Sequence, residues 1–171
     1  MTSRDDVAGA VDAFLESSAE TLEVIGRTDG AWDLLVPSYW KETVACSLSL
    51  GERTMRAEVF YMRSPEENHD RVYKLLLQRN ERSHLWRFTV NEEGDASLVA
   101  DVPFGAVDQD LLDELFGALV TLVDETYVPY MKTGYASSLA EQVRAGGPGV
   151  DQPPPWAKQW EGETTPYQRR K

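Results

Sequence analysis

The chain has 171 residues, enough for one domain with a short extension, and 42% of them are hydrophobic, as is ordinary for a soluble globular protein. Its formal net charge of -12 disfavours nucleic acid and anionic membrane surfaces as partners, because both are bound mainly through Lys and Arg. Nowhere do about eighteen apolar residues follow one another, so we expect no membrane-spanning helix.

The cysteine content indicates the cellular compartment in which the protein works. Cys46 is the only cysteine, which excludes an internal disulfide and fits the reducing cytoplasm. The segment Met1–Asp6 contains no apolar run of the signal-peptide type. We therefore expect a cytoplasmic protein in which Cys46 is a buried structural thiol.

The first predicted element is an amphipathic helix over residues 4 to 25. Its apolar stripe comprises Val7, Val11, Phe14, Leu15, Leu22 and Ile25. Gly26 is typical of a helix C-terminus, and Thr28-Asp29-Gly30 predicts a turn. A strand is then predicted over Ala31 to Val36, ended by Pro37.

Two antiparallel strands are predicted next, from Thr43 to Leu50 and from Thr54 to Arg63. In each strand, alternate residues are apolar, and Gly51-Glu52 supplies a short turn between them. The second strand carries charged residues and Phe60 on its other face, so this face of the sheet is predicted to be only partly covered.

A second helix is predicted to begin at Ser64-Pro65-Glu66-Glu67. Ser64 would be the N-cap, Pro65 would occupy the first turn, and Glu67 would complete a capping box. Strands are predicted over Leu85 to Val90 and Ala96 to Val102, joined by a hairpin loop.

The long helix predicted from Asp108 to about Met131 has an unusually broad apolar face. Asp108 would cap it, and Pro129 would bend or end it. Its apolar residues spread over roughly 200°, whereas a helix on one sheet needs a stripe of about 100°. The excess must meet another helix of the chain, a second subunit or a client protein. We take Leu111, Phe116 and Val120 as candidate residues for self-association, with a homodimer as the expected state.

The composition changes after about Val143. Gly146-Gly147-Pro148-Gly149 and Pro153-Pro154-Pro155 cannot continue a helix or a central strand. We therefore predict a domain over residues 1–143 and a flexible Gly/Pro-rich tail over 144–171. Trp156 and Trp160 of this tail are expected to dock loosely on the domain or on nothing.

No pattern of residues indicates a reaction. His69 and His84 lie in no metal-ligand spacing, and no phosphate-binding loop, dinucleotide fingerprint or nucleophile elbow is present. Acidic pairs such as Asp124/Glu125 are expected on solvated surfaces. The sequence thus predicts no catalytic residue, no cofactor and no metal site.

Three large aromatic residues, Trp32, Tyr39 and Trp40, lie close together in the chain. They could close one end of the core. Alternatively Tyr39 and Trp40, which follow Pro37 in a connection between strands, could form an exposed anchor patch for a protein partner, since aromatic residues dominate binding hot spots.

Two segments resemble a known family. Leu34-Leu35-Val36-Pro37-Ser38-Tyr39-Trp40-Lys41-Glu42 and Met62-Arg63-Ser64-Pro65-Glu66-Glu67-Asn68-His69 are similar to actinobacterial members of the YbjN-type family, described as bacterial sensory-transduction regulators. The resemblance covers about residues 5 to 140. It implies a fold like that of type III secretion chaperones, in the order α-β-β-β-α-β-β-α, and supplies no catalytic residues.

These observations together predict an α+β domain with a five-stranded, mainly antiparallel sheet packed with helices. The function we expect is a non-enzymatic, protein-binding regulator or chaperone-like protein. A client would bind at a sheet edge or at the Tyr39/Trp40 region. The alternative is a small-molecule sensor or an enzyme with an atypical site, in an apolar pocket lined by Tyr61, Trp86 and Arg87.

Overall fold

A computed structural model describes residues 1–160 of the chain, with side chains to Lys158. The remainder of the predicted tail, with the Trp160 side chain, lies outside the described residues. The element bounds are α1 Arg4–Ser17, β1 Glu23–Thr28, β2 Ala31–Ser38, β3 Glu42–Leu50, β4 Thr54–Met62, α2 His69–Arg82, β5 Arg87–Val90, β6 Ala96–Pro103, α3 Gln109–Gly134 and α4 Ala136–Arg144. The strands form one antiparallel sheet in the order β1-β2-β3-β4-β6-β5. The α+β fold class is confirmed, with six described strands where five were predicted.

The N-terminal helix α1 is shorter than predicted. Ser3 caps it through a capping box with Asp6, and the helix ends at Ser17 rather than at residue 25. Leu22 and Ile25 continue the apolar spacing, but Leu22 lies in the connection between α1 and β1, and Ile25 lies in β1, where it is exposed. The 3.6-residue periodicity was therefore misleading beyond Ser17, and β1 was missed.

The strand β2 continues through Pro37, which was predicted to end it. Pro37 pairs with Thr43 of β3, whereas pairing with β1 ends at Leu35. Pro37 therefore lies where β2 has a neighbour on one side only, and a missing N–H is tolerated at such a position.

The predicted start of α2 is wrong. The helix begins at His69, and Asn68, in the left-handed region with φ of 53°, precedes it without a side-chain cap. Pro65 is buried against Gly134, and the N–H groups of Glu66 and Glu67 donate to the Gly134 carbonyl. Packing against the end of α3 thus overrides the local capping signal.

The hairpin of β5 and β6 confirms the prediction for this region, although β5 begins at Arg87. Its loop is closed by the N–H of Asn91, which donates to the Asp95 carbonyl at 3.0 Å. The side chain of Asn80 on α2 also bonds the backbone of Phe88. The hairpin is therefore attached to the helical layer.

The predicted cap of the long helix α3 is confirmed, because the Asp108 side chain accepts a hydrogen bond from the Leu111 N–H at 2.8 Å. The helix passes through Pro129 to Gly134. Tyr130, directly after the proline, is fully buried and donates to the Arg63 carbonyl at 2.9 Å. This contact fixes the last turns of the helix, after Pro129, to the segment that follows β4. The short helix α4 was not predicted.

The core lies between one face of the sheet and the helices. The inward residues of β2, β3, β4 and β6 are buried, and α1 and α2 both contact α3 above them. The other face carries exposed side chains such as Ser47, Arg56, Glu58 and Phe60. This agrees with the predicted partly covered face.

Candidate protein-binding site

Tyr39 and Trp40 lie in the turn between β2 and β3, where Tyr127 of α3 joins them. The rings of Tyr39 and Trp40 meet edge to face with centroids 4.9 Å apart. The rings of Trp40 and Tyr127 are nearly parallel, 6.2 Å apart. We refer to these three half-buried residues as the aromatic patch.

The turn that carries the patch is fixed to α3 by Asp124. Its carboxylate accepts hydrogen bonds from the Ser38 hydroxyl at 2.8 Å and from the Tyr39 N–H at 3.0 Å. Burial raises the pKa of this carboxyl, and the hydrogen bonds from Ser38, Tyr39 and Trp40 act in the opposite direction. The expectation of a solvated Asp124 is therefore wrong, and its role is to position the turn.

Residues 148–158, which we call the C-terminal segment, lie against the aromatic patch. The indole N–H of Trp156 donates to the Tyr39 carbonyl at 2.7 Å, and Ala157 is buried. Lys132 and Asp151 form an exposed ion pair at 2.7 Å. The segment and the patch line an open cleft of about 980 Å³, together with residues of α3 and α4. Trp156 thus contacts the domain, while the flexibility of residues 144–171 stays a prediction.

A second surface with exposed apolar residues is the edge strand β1. It pairs only with β2 in the described part of the chain, and none of its six residues is buried. Val24 and Ile25 are 44% and 55% exposed. The register shifts between Val24 and Gly26, a bulge that twists the edge. An unpaired edge with aliphatic side chains can accept an additional strand, whereas the bulge at Ile25 opposes such pairing locally.

The broad apolar face of α3 meets other helices of the same chain, one of the alternatives that the sequence left open. Phe116 and Val120 are fully buried, and the Phe116 ring stacks on Phe14 of α1 with centroids 5.7 Å apart. Leu111 is half-buried against the core. The two buried residues are therefore not accessible to a partner in the folded chain.

The residues suggested for a ligand pocket do not lie around one cavity. Tyr61 and Trp86 are fully buried, and they bond the Thr126 hydroxyl and the Leu115 carbonyl, each at 2.8 Å. Arg87 is exposed and forms an ion pair with Asp101. These three residues therefore do not form the apolar pocket that a small-molecule sensor or an enzyme would need.

Burial shifts the pKa of several titratable groups. Burial raises the pKa of the Cys46 thiol to about 12, so this cysteine is a structural residue, as predicted. Burial lowers the pKa of Lys41, whose ammonium group lies 5.3 Å from the centre of the Tyr61 ring. Within residues 1–160 no group of three or more His, Cys, Asp and Glu side chains is arranged as a metal site, and no helix could span a membrane.

The sequence singled out Tyr39 and Trp40 but not the residues that surround them. Asp124 and Tyr127 lie three residues apart on α3, a spacing that places both on one helix face, yet only the tertiary structure brings them to the β2–β3 turn. The sequence does contain a pattern that predicts β1. The β-branched residues Val24 and Ile25 precede the two-residue turn Asp29-Gly30, and this arrangement is typical of a hairpin.

The fold is an architecture that is already known. The chain is similar to the structure of the ExoU–SpcU complex from the type III secretion system of Pseudomonas aeruginosa, with a TM-score of 0.52, 22% identity, and coverage of 67% of this chain and 93% of that chain. It is also similar to the Yersinia pestis type III secretion chaperone SycH, solved with a fragment of YscM2, with a TM-score of 0.51, 13% identity, and coverage of 68% and 96%. The fold is therefore that of type III secretion chaperones.

Sequence comparison assigns the family. Residues 8–128 match the YbjN family, whose description is "Putative bacterial sensory transduction regulator", and the chain belongs to this family. It is 34% identical to the protein Rv0487 of Mycobacterium tuberculosis over 119 residues, 68% of this chain and 65% of that relative. It is 32% identical to ML2442 of Mycobacterium leprae over 122 residues, 70% and 66% of the two chains. The match thus spans about two thirds of the length of these relatives.

Proposed function

We propose that this protein is a non-enzymatic, cytoplasmic regulator or chaperone-like protein that binds an extended segment of a client protein. Membership of the YbjN family and the chaperone fold support this class of function. The single buried thiol, Cys46, fits a reducing compartment. The perturbed groups Asp124 and Lys41 lie in structural contacts, which supports binding rather than catalysis.

The observation that carries the proposal is the exposure of β1. Strand addition needs a free row of backbone N–H and C=O groups, together with side chains that a partner can cover. β1 offers both, because its outer edge is unpaired among the described residues and Val24 and Ile25 are exposed. A client strand placed there would extend the six-stranded sheet by one.

The expected homodimer is part of the proposal, at a different surface from the one first predicted. Because Phe116 and Val120 are buried, self-association through α3 would require the core to open. Antiparallel pairing of two β1 strands about a twofold axis would instead cover Val24 and Ile25 in both copies. A client would compete with the second copy for the same edge.

Two valines with equal exposure provide a matched test. Val24 on the edge strand β1 and Val90 on the opposite edge strand β5 are each 44% exposed. A lysine on an edge strand opposes addition of another strand. We expect Val24→Lys to abolish capture of a client from native cell extract, whereas Val90→Lys captures it as the wild type does.

The measurement is affinity capture with equal amounts of each tagged protein, followed by quantification of the co-purified proteins. Urea unfolding checks that both variants keep their stability to within about 0.5 kcal/mol, as surface substitutions usually do. Undiminished capture by Val24→Lys would show that β1 is not the client site. Sedimentation tests the homodimer separately: wild type and Val90→Lys should be dimers at micromolar concentration and Val24→Lys a monomer.

A further inference from the structure

The C-terminal segment is rich in proline, and it lies on a surface rich in aromatic residues. Its residues Pro153, Pro154 and Pro155 are followed by Trp156. The surface beneath consists of the aromatic patch, with Met131 and other residues of α3 and α4. Recognition of proline-rich segments by aromatic-lined grooves is a general mode of peptide binding.

The proline run loses little conformational entropy when it binds to a surface. Each proline ring fixes φ, and each residue that precedes a proline is held near an extended conformation. Gln152, Pro153 and Pro154 are therefore extended before binding, and the short 3₁₀ helix Pro155–Trp160 then turns the chain. The N–H of Ala157 bonds the Pro154 carbonyl at 2.9 Å and closes this turn. Such a preordered segment keeps more of its contact energy as affinity.

The receptor surface is also preordered. Asp124 holds the turn that carries Tyr39 and Trp40, and Tyr127 lies on the same helix as Asp124. The Tyr39 carbonyl is oriented to accept the Trp156 indole N–H at 2.7 Å. An aromatic stack and a fixed backbone acceptor are thus combined on one surface, and the C-terminal segment forms a wall of the cleft of about 980 Å³ beside it.

We propose that the aromatic patch is a binding site for proline-rich peptides that carry a tryptophan, and that the C-terminal segment covers this patch in cis. A proline-rich segment of another protein must displace residues 148–158 in order to bind. The segment is therefore a built-in competitor that limits access to the aromatic patch. This site is formed by other residues than β1 and goes beyond the proposed client binding.

Competition from a tethered segment has a defined size. A short flexible linker gives its segment an effective concentration of about 1 mM. If the segment itself has a Kd of about 0.1 mM for the uncovered patch, any competing peptide binds the wild type about tenfold more weakly. Removal of the Trp156 side chain from the protein should therefore restore the tenfold tighter binding of the peptide.

The test uses the full chain and a fluorescent peptide of residues 150–158, with fluorescence anisotropy as the readout. We expect Trp156→Ala protein to bind the peptide about tenfold more tightly than wild type does, following the same arithmetic. The double variant Trp156→Ala/Trp40→Ala should not bind it. The matched control Trp156→Ala/Phe60→Ala removes an exposed aromatic side chain from the open face of the sheet instead, and should bind like Trp156→Ala.

Peptide variants separate the two recognition elements. Replacement of the three prolines by alanine, or Trp156→Ala within the peptide, should each abolish binding to the Trp156→Ala protein. Tyr127→Ala provides a second receptor variant in case Trp40→Ala does not fold. Equal binding by wild type and Trp156→Ala, no binding by Trp156→Ala, or full binding by both receptor variants would each overturn the proposal.

Discussion

The carboxylate of Asp124 on α3 accepts a hydrogen bond from the hydroxyl of Ser38, 86 residues earlier in the chain, at 2.8 Å. The same carboxylate accepts from the Tyr39 N–H, so one side chain of the long helix sets the conformation of the β2–β3 turn. The orientation of Tyr39 and Trp40 therefore depends on α3 rather than on the turn sequence alone.

Replacement of Asp124 should disorder this turn. Asp124→Ala removes the acceptor for buried donors, and loss of such an acceptor costs about 1–3 kcal/mol. We expect a lower free energy of unfolding in urea by this amount. Glu125→Ala, which changes the neighbouring exposed acid, is the control and should cost less than about 1 kcal/mol, as expected for a surface ion pair such as that with Arg79.

The raised pKa of Asp124 predicts the direction of a pH effect. Its contribution to stability is complete below the ordinary carboxyl value of 3.8 and is lost as the pH rises through the higher pKa of the folded state. Asp124→Asn does not ionise. The stability of the wild type relative to Asp124→Asn should therefore fall as the pH rises from the ordinary carboxyl value of 3.8 through the raised pKa of the folded state. Urea unfolding across this range measures it, and a constant difference would contradict the raised pKa.

Phe116→Ala distinguishes a core residue from an interface residue. Phe116 is fully buried and stacks on Phe14, so we expect a loss of about 3–5 kcal/mol, as for other phenylalanine-to-alanine changes in cores. Leu111→Ala, at a half-buried position on the same helix, should cost less. Sedimentation of both variants should match the wild type. If either variant changed the state of association without a change in stability, α3 would be an interface between subunits after all.

The Cys46 thiol should be inert in the native protein. Because burial raises its pKa to about 12, almost no thiolate is present at pH 8. Reaction with a thiol reagent such as dithionitrobenzoate should therefore be negligible for the folded chain and rapid in urea. Fast stoichiometric labelling without denaturant would show that β3 opens readily.

Glu67 should hold α4 in place. The Ser137 N–H at the start of α4 donates to its carboxylate at 2.6 Å, and this bond lowers the pKa of Glu67. We expect Glu67→Ala to raise amide hydrogen exchange in Ala136–Arg144, and the same contact to weaken in the wild type as the pH falls through the lowered pKa. Glu92→Ala, in the exposed loop before β6, is the control and should leave exchange in α4 unchanged.

Long, regular patterns were reliable guides to this fold. The alternation of β3 and β4, the cap at Asp108 and the hairpin of β5 and β6 depend on neighbouring residues, and the structure confirms each of them. Binary patterning and family resemblance therefore sufficed for the fold class, and Tyr39 and Trp40 could be singled out by their unusual size in a turn.

Element ends depended on distant contacts. Ser64, Pro65 and Glu67 have the sequence of a helix start, but Pro65 packs on Gly134, and the Glu67 carboxylate bonds α4 instead of its own helix. A local signal worth about a kilocalorie per mole is outweighed when the same residues gain burial and hydrogen bonds elsewhere.

The sequence by itself determined that an acidic α+β chain with a broad apolar helix would form, because composition and periodicity act through nearest neighbours along the chain. Only the tertiary structure decided what covers that helix: α1 and α2 both contact α3, and the Phe14 ring stacks on Phe116. The tertiary structure also leaves Val24 and Ile25 exposed on β1 and places the Trp156 indole N–H at the Tyr39 carbonyl. Burial is a property of surfaces that meet in space, and a pattern of apolar residues states how much surface must be covered without stating by what.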